Sequence, residues 1–301
     1  MSGTQTLAGR FEAHRGHLQA VAYRMLGSLA EAEDAVQEAW LRLSRTDAAG
    51  EADAIGNLGG WLTTVTGRIC LDMLRARAAR REEPMGDRAV AFVPDPLLRP
   101  LTHDDPEQEA LHADAVGLAL LVVLETLEPA ERLAFVLHDM FAVPFDDIAR
   151  VVERSAAATR QLASRARRRV RAATPAADPD LGRQKKVLDA FLAASREGDF
   201  DGLLALLHPE AVLRADAGAL VRGAAATKLV RGARAVAEQA ATFSPFAHAA
   251  RPVLVNGAIG ALTVIEGRPL AVMGVTVADG RITGMYILAD PQRLARLDLP
   301  A

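Results

Sequence analysis

The densest chemistry in the sequence is a set of guanidinium groups. Between Arg154 and Ala177 there are seven arginines and no acidic residue, in a chain whose formal net charge is -3. A helix that faces only water usually interleaves such charges with glutamate, so an uncompensated basic stripe points to a polyanion, and DNA phosphates are the obvious one. The alternative is an arginine-rich face that is merely solvated. The stretch FDDIARVVERSAAATRQLASRARRRVR, residues 145–171, reads as two helices joined by a tight turn. Phe145, Ile148, Ala149 and Val152 mark the apolar face of the first. Ser155 stands where its hydroxyl can accept an early backbone N–H of the second. Ala158, Leu162, Ala166 and Val170 then recur every four residues and predict an inward stripe, while Arg160, Ser164, Arg167, Arg168 and Arg171 share another face.

Other chemistries find little support. Asp216 and His248 are the only acid–base candidates in the last third of the chain, and neither has a recognisable partner. His138 stands apart from any metal-ligand spacing. The single cysteine, Cys70, excludes an internal disulfide framework and a cysteine-cluster metal site, and reads as a small buried hydrophobe. The expectation is therefore no catalytic residue, no metal and no cofactor, in a reducing cytoplasm. The opening residues MSGTQTLAGRFEAH lack a charged start followed by an apolar run, so no secretory leader is expected. Ala115–Leu124 is too short to span a bilayer.

The elements that must position the arginines fall into segments. At 301 residues, half of them hydrophobic, the chain should hold two or three domains. Residues 7–83 read as all-helical. In EAEDAVQEAWLRL, Ala32, Ala35, Val36, Ala39, Trp40 and Leu43 form an apolar stripe, with Glu31, Asp34, Glu38 and Arg42 opposite. That acidic face is either solvated surface or a dock for a basic protein. After a loop from Thr46 to Gly60, a second basic helix opens at Trp61, expected as a core anchor. Its inward stripe is Leu62, Val65, Ile69 and Met73, and its outer face carries Arg68, Asp72 and Arg75, extended by Arg77, Arg80 and Arg81. Residues 84–106 form a proline-rich linker, yet FVPDPLL within it is too apolar for a free tether and should lie against something. Helices resume over 107–172, with Pro129 at a first helical position and Leu133, Val136, Leu137 and Met140 inward. A second linker spans 173–183. Over 184–301, two helices precede strands separated by Asn-Gly and Asp-Gly turn signals, which predicts an α+β domain with a curved, cone-like antiparallel sheet able to enclose an apolar pocket. The fold class is thus multidomain: two all-α domains, the second with a helix-turn-helix, followed by that α+β domain.

In this order, EAEDAVQEAWLRL with WLTTVTGRICLDMLRARAARRE, and then LEPAERLAFVLHDMFAVPFDDIARVVERSAAATRQLASRARRRV, resemble the second and fourth conserved regions of a bacterial sigma factor of the extracytoplasmic-function type. The last segment is similar to polyketide-cyclase-like domains of the ketosteroid-isomerase superfamily, which mark one subfamily. The resemblance implies that the acidic helix docks on core RNA polymerase through Asp34, Gln37 and Glu38. It implies that Arg68, Arg75 and Arg77 serve the minus-ten promoter element. At the minus-thirty-five element it places Thr159, Arg160 and Gln161 closest to the bases, with Ser155 beside them and Arg154, Arg165, Arg167 and Arg168 on phosphates.

The subfamily's regulatory motifs are matched with departures. FVPDPLL carries Phe92 for tryptophan and Asp95 for glutamate, and keeps Pro94 and Pro96. Asp216-Ala217-Gly218-Ala219-Leu220 has lost two glycines and a lysine. Asp290-Pro291-Gln292-Arg293-Leu294 keeps Pro291 and Leu294 and has Arg293 for lysine. The resemblance implies promoter DNA and core polymerase as partners, the chain's own C-terminal domain as an intramolecular regulator, an unknown small-molecule ligand, and no membrane. Two other readings stay open: a one-component regulator with a sensor domain, and an isomerase or cyclase.

Overall fold

Two serine or threonine hydroxyls set the first helices. Thr6 accepts from Gly9 N at 3.2 Å and starts α1 (Leu7–Leu26), which ends at Gly27 with φ +68°. Ser28 starts α2 (Leu29–Ala48) by accepting from Glu31 N. The third helix, α3 (Leu58–Arg80), begins three residues before the expected Trp61, with the Asn57 side chain accepting from Gly60 N. The computed structural model describes residues 6–50, 54–80, 91–101, 117–173, 177–218 and 227–300, so the expected helix start at Glu107 lies outside the described residues.

Beyond the linker come α4 (Leu118–Glu125) and α5 (Pro129–Phe135), the latter continued by a π-helical turn, Val136–Met140. The pair α6 (Phe145–Val152) and α7 (Ala156–Ala173) follows. Residues 1–84 and 123–172 group as one compact unit. The segments expected as separate helical domains over 7–83 and 107–172 therefore meet in its described part. The physical reason lies in α3. Leu62 and Ile69 are buried along one face of α3, which packs on α1 and α2, and Leu71 and Leu74 are buried on another. Gly67 opens a second groove, where a Cβ would stand 3.0 and 3.2 Å from the side chains of Leu137 and Leu133. A helix read as amphipathic is thus buried on two sides.

Residues 85–122 and 173–301 form the second unit. Asp180 accepts from Arg183 N at 3.0 Å and starts α8 (Leu181–Glu197), followed by α9 (Phe200–Leu206). The sheet contains β1 (Leu98–Arg99), β2 (Leu207–Asp216), β3 (Lys228–Arg231), β4 (Ala250–Val255), β5 (Ala258–Ile265), β6 (Arg268–Ala278) and β7 (Arg281–Leu288). Its order is β1-β4-β5-β6-β7-β2-β3, antiparallel throughout except for the parallel β2–β7 pair. Asn256-Gly257, Glu266-Gly267 and Asp279-Gly280 all have positive φ at both positions, the turn that matches strand twist in tight hairpins. Register shifts between Thr263 and Val264 and between Thr276 and Val277 add the local kinks that curve a sheet. This is the expected α+β domain with a curved, open sheet. Leu213, Met285, Val275 and Ile259 belong to one buried cluster with Leu188 and Phe191 of α8 and Val236 of α10 (Ala233–Thr242). A last short helix, α11 (Pro291–Leu294), is capped by Asp290. Among the described residues no helix is long and apolar enough to cross a membrane.

Candidate nucleic-acid interface

The helix-turn-helix closes on a left-handed residue. Glu153 ends α6 at φ +57°, and its N–H donates to Ala149 O. Ser155 Oγ then accepts from Ala158 N at 3.2 Å. Ile148, Ala149, Val151 and Val152 are buried under α6, while half-buried Phe145 stacks on His138 at 3.7 Å between ring centroids. His138 Nδ1 also lies 3.0 Å from Val143 O, which makes it a structural residue of the turn before α6.

On α7 the buried stripe is Thr159, Leu162, Ala163 and Ala166, and the expected Ala158 and Val170 are only half-buried. A strict four-residue repeat drifts about 40° per step around a helix of 3.6 residues per turn. The true contact line alternates steps of three and four. Thr159 is 0% exposed, and its hydroxyl donates to Ser155 O at 3.0 Å. Arg154, Arg160, Gln161 and Arg168 are exposed, as are Ala157 and Ser164, which the shifted stripe turns outward. Arg160 extends over the Phe145 ring at 5.5 Å. Arg165 and Arg169 share Glu131 at 2.7 and 3.0 Å, and Arg167 pairs with Asp139 at 2.6 Å. The missing counter-charge of α7 thus comes in part from α5 and the π-turn, and short-range reading of the helix alone could not reveal it.

On α3, Arg68 and Arg75 are exposed, pairing with Glu153 at 2.9 Å and Asp72 at 3.7 Å. Arg77 is placed differently from Arg68 and Arg75. Its side chain is 17% exposed and turned inward to Glu31, to Glu125 at 3.7 Å and to Leu26 O. Glu125 in turn pairs at 2.8 Å with Arg132, which is 2% exposed and donates to Arg24 O at 3.2 Å. Trp61 is half-buried and lines a cleft of about 550 Å³ with Arg42, Asn57, Thr64, Arg68 and Arg150, rather than anchoring a core. Cys70 is fully buried, and burial pushes its thiol up to about 12. Asp34 and Gln37 are exposed on α2, and Glu38 pairs with Arg42 at 3.1 Å. Leu41, one turn on and 47% exposed, shares that face and was not picked out by the apolar stripe.

In the second unit the three short motifs converge on one guanidinium. Arg293 Nε donates to Asp95 Oδ1 at 2.7 Å, Nη1 to Asp216 Oδ2 at 2.8 Å and Nη2 to Val93 O at 2.6 Å. Its carbon lies 4.9 Å over the Phe92 ring. Asp216 also accepts from the backbone of Val93 and Gly218. Gly218 has φ +76°, and a Cβ there would fall 2.4 Å from Asp290 Oδ2, which explains why this glycine of its motif remains. Pro94, Asp95 and Pro96 are buried, and Leu97 exchanges hydrogen bonds with Asn256 before β1 pairs with β4. Leu294 is buried, and Pro291 occupies the first turn of α11. FVPDPLL is thus an added edge strand and its lead-in, not a tether. His248 is exposed, and Asp216 is committed to Arg293.

Two helical segments with a basic helix-turn-helix, joined through a docked linker, define a sigma factor of the sigma-70 type. Residues 10–80 match the family model of sigma-70 region 2, and residues 117–170 match sigma-70, region 4. The chain belongs to the extracytoplasmic-function sigma factors of RNA polymerase. It is 39% identical over 297 residues to the ECF RNA polymerase sigma factor SigJ of Mycobacterium tuberculosis (strain ATCC 25618 / H37Rv), covering 94% of this chain and 91% of that one. It is 34% identical over 304 residues to the probable ECF RNA polymerase sigma factor SigI of the same organism, covering 98% and 97%. The crystal structure of Mycobacterium tuberculosis SigJ superposes with a TM-score of 0.72 at 36% identity, covering 96% of this chain and 98% of that one.

Proposed function

We propose that this sigma factor docks on core RNA polymerase through the α2 face of Asp34, Gln37 and Glu38. Arg68, Arg75 and the loop before α3 serve the minus-ten element. Arg160 and Gln161 read the minus-thirty-five element, with Arg154 and Arg168 on phosphates. The C-terminal domain, residues 184–301, regulates initiation in cis by holding the 84–106 linker. The observation that carries the last statement is the Arg293 clasp, in which one half-buried cation pairs with two carboxylates and a linker carbonyl. A tethered domain needs no tight intrinsic affinity to act this way, because its effective concentration is high.

Run-off transcription with purified core enzyme, on DNA upstream of the protein's own gene, tests the reading. Arg293→Ala leaves Asp95 and Asp216 facing each other without a cation, so the linker should detach and transcript yield should change at least several-fold relative to the intact chain. A truncation ending at Gly182 should move yield in the same direction. Equal yield from all three chains would remove the regulatory role, and absence of core binding by the intact chain would remove the docking assignment.

A further inference from the structure

The stretch VRGARAVAEQ, residues 230–239, breaks two local rules of helix construction. Gly232 starts α10 without a side-chain cap, and the first turn holds Arg234 and no acidic residue, although a helix N-terminus favours negative charge. Arg234 pairs with Glu238 at 3.2 Å, but the pair is exposed and runs in the less favourable order along a helix, so it contributes little. The fold brings two more cations to the same end of the domain. Arg231 closes β3 and Arg281 opens β7, and both are exposed with no ion pair among the described residues. Burial chiefly, and the charge of Arg231 in smaller part, hold the Arg214 guanidinium on β2 below the ordinary arginine range. Positive charge is crowded here rather than neutralised.

Arg231, Arg234 and Arg281 border one open cleft of about 580 Å³, with Leu204 and Leu207 as apolar wall and Glu238 as the one acid among its lining residues. We infer that this cleft binds a small phosphorylated organic molecule, its phosphoryl oxygens held by the three guanidinium groups and its apolar body lying against Leu204 and Leu207. The planar fork of arginine meets phosphoryl oxygens two at a time. Three guanidinium groups against one carboxylate leave a charge that a phosphate monoester, with about two negative charges near neutral pH, compensates. The uncapped first-turn N–H groups of α10 add donors at the same place. A DNA duplex would call for a basic stripe along an open face, whereas these groups converge on a concavity with an apolar wall. β2 runs ten residues from Leu207 at the cleft to Asp216 in the Arg293 clasp, roughly 30 Å of strand, so the two sites are separate. All the residues involved belong to the second unit, and the inference does not depend on the promoter roles proposed above.

The test titrates the full chain with phenyl phosphate, inorganic phosphate and phenol by isothermal calorimetry, with saturation-transfer NMR on the phenyl protons. Phenyl phosphate should bind one to one, about tenfold tighter than inorganic phosphate because its ring covers the apolar wall, and phenol should not saturate. Arg231→Gln combined with Arg281→Gln should weaken phenyl phosphate at least tenfold, since two charge-assisted contacts are lost. Glu238→Gln removes the competing acid and frees Arg234, so it should tighten binding about threefold, a gain that a purely structural Glu238 would not produce. These side chains are exposed, so all variants should keep the wild-type urea midpoint. Absence of saturable phenyl phosphate binding would overturn the inference. So would equal affinity in the wild type and the double arginine variant, or weaker binding in Glu238→Gln. Reduced affinity for promoter duplex in the double variant, with phenyl phosphate binding unchanged, would assign these arginines to nucleic acid instead.

Discussion

Two basic helices of the helical unit, α3 and α7, look alike in sequence and use their arginines in opposite ways. On α7 the exposed Arg160 and Arg168 have no ion pair among the described contacts, and Arg165, Arg167 and Arg169 are drawn to Glu131 and Asp139 at its flank. On α3 the arginine nearest the α7 pattern, Arg77, turns inward to two carboxylates and a carbonyl. The deciding factor is which neighbouring element supplies an acid. α7 is packed along one side only, so its outer face stays in water. α3 is packed on two, and its flank meets Glu31 of α2 and Glu125 of α4.

The largest expected effect lies on the inward side of this contrast. Arg132→Met removes the nearer of the two cations that compensate Glu125, leaving a nearly buried carboxylate with only Arg77 at 3.7 Å. Breaking one partner of such a pair costs about 3–5 kcal/mol. Urea unfolding of the full chain, followed by helical ellipticity, should show the helical unit melting at markedly lower denaturant. The double variant Arg132→Met with Glu125→Gln should recover part of the loss. Unchanged unfolding in Arg132→Met would mean the network is solvated and α3 is no more buried than α7.

A smaller pair of effects separates the two faces of α7. Arg160→Ala should weaken binding to promoter duplex by about 1–3 kcal/mol and relax sequence preference, because a base-reading guanidinium is lost. Thr159→Val should leave DNA affinity as it is and lower stability by about 1 kcal/mol, the net worth of the hydroxyl bond to Ser155 O. Fluorescence anisotropy with cognate and scrambled duplexes reads both. A loss of affinity in Thr159→Val with stability intact would return Thr159 to the reading face.

The contrast also shows where sequence reading reaches its limit. Ser155, the turn and the α6 face were legible because capping and helical periodicity are local. The strands β4 to β7 were legible because their turn dipeptides mark the hairpins. The inward position of Thr159 was not legible because it depends on one residue of phase, and because a small polar side chain that bonds back to its own helix carries no apolar signal. The ion pair of Arg77 was not legible because Glu125 lies forty-eight residues away in the chain. β1, β3 and α10 went unread: the first two are only two and four residues long, and α10 is rich in alanine with a broken apolar pattern. In the C-terminal unit the motif residues Asp95, Asp216 and Arg293 were found through a family likeness, and only the fold shows that a single guanidinium joins them.

The smallest expected effect concerns the seam between α1, α3 and the π-turn. His17 Nε2 lies 3.0 Å from Thr63 Oγ1, and its ring meets Phe141 edge-on at 5.2 Å. Burial first, then the charges of His14 and Arg24, holds its imidazole below the usual histidine value. The sign follows from proton binding. Well above about pH 6.5 the ring is neutral folded and unfolded, so it contributes no pH dependence there. As pH falls below that, the unfolded chain takes a proton that the folded ring resists, and stability declines until the folded value is passed. Carboxylates titrate in the same direction at lower pH, so the informative quantity is the difference between wild type and His17→Gln, which keeps a hydrogen-bonding group near Thr63. Between about pH 7.5 and 5.5 the urea midpoint of the wild type should fall slightly more than that of His17→Gln. Parallel midpoints would show that the α1–α3 seam is as wet around His17 as the outer face of α7.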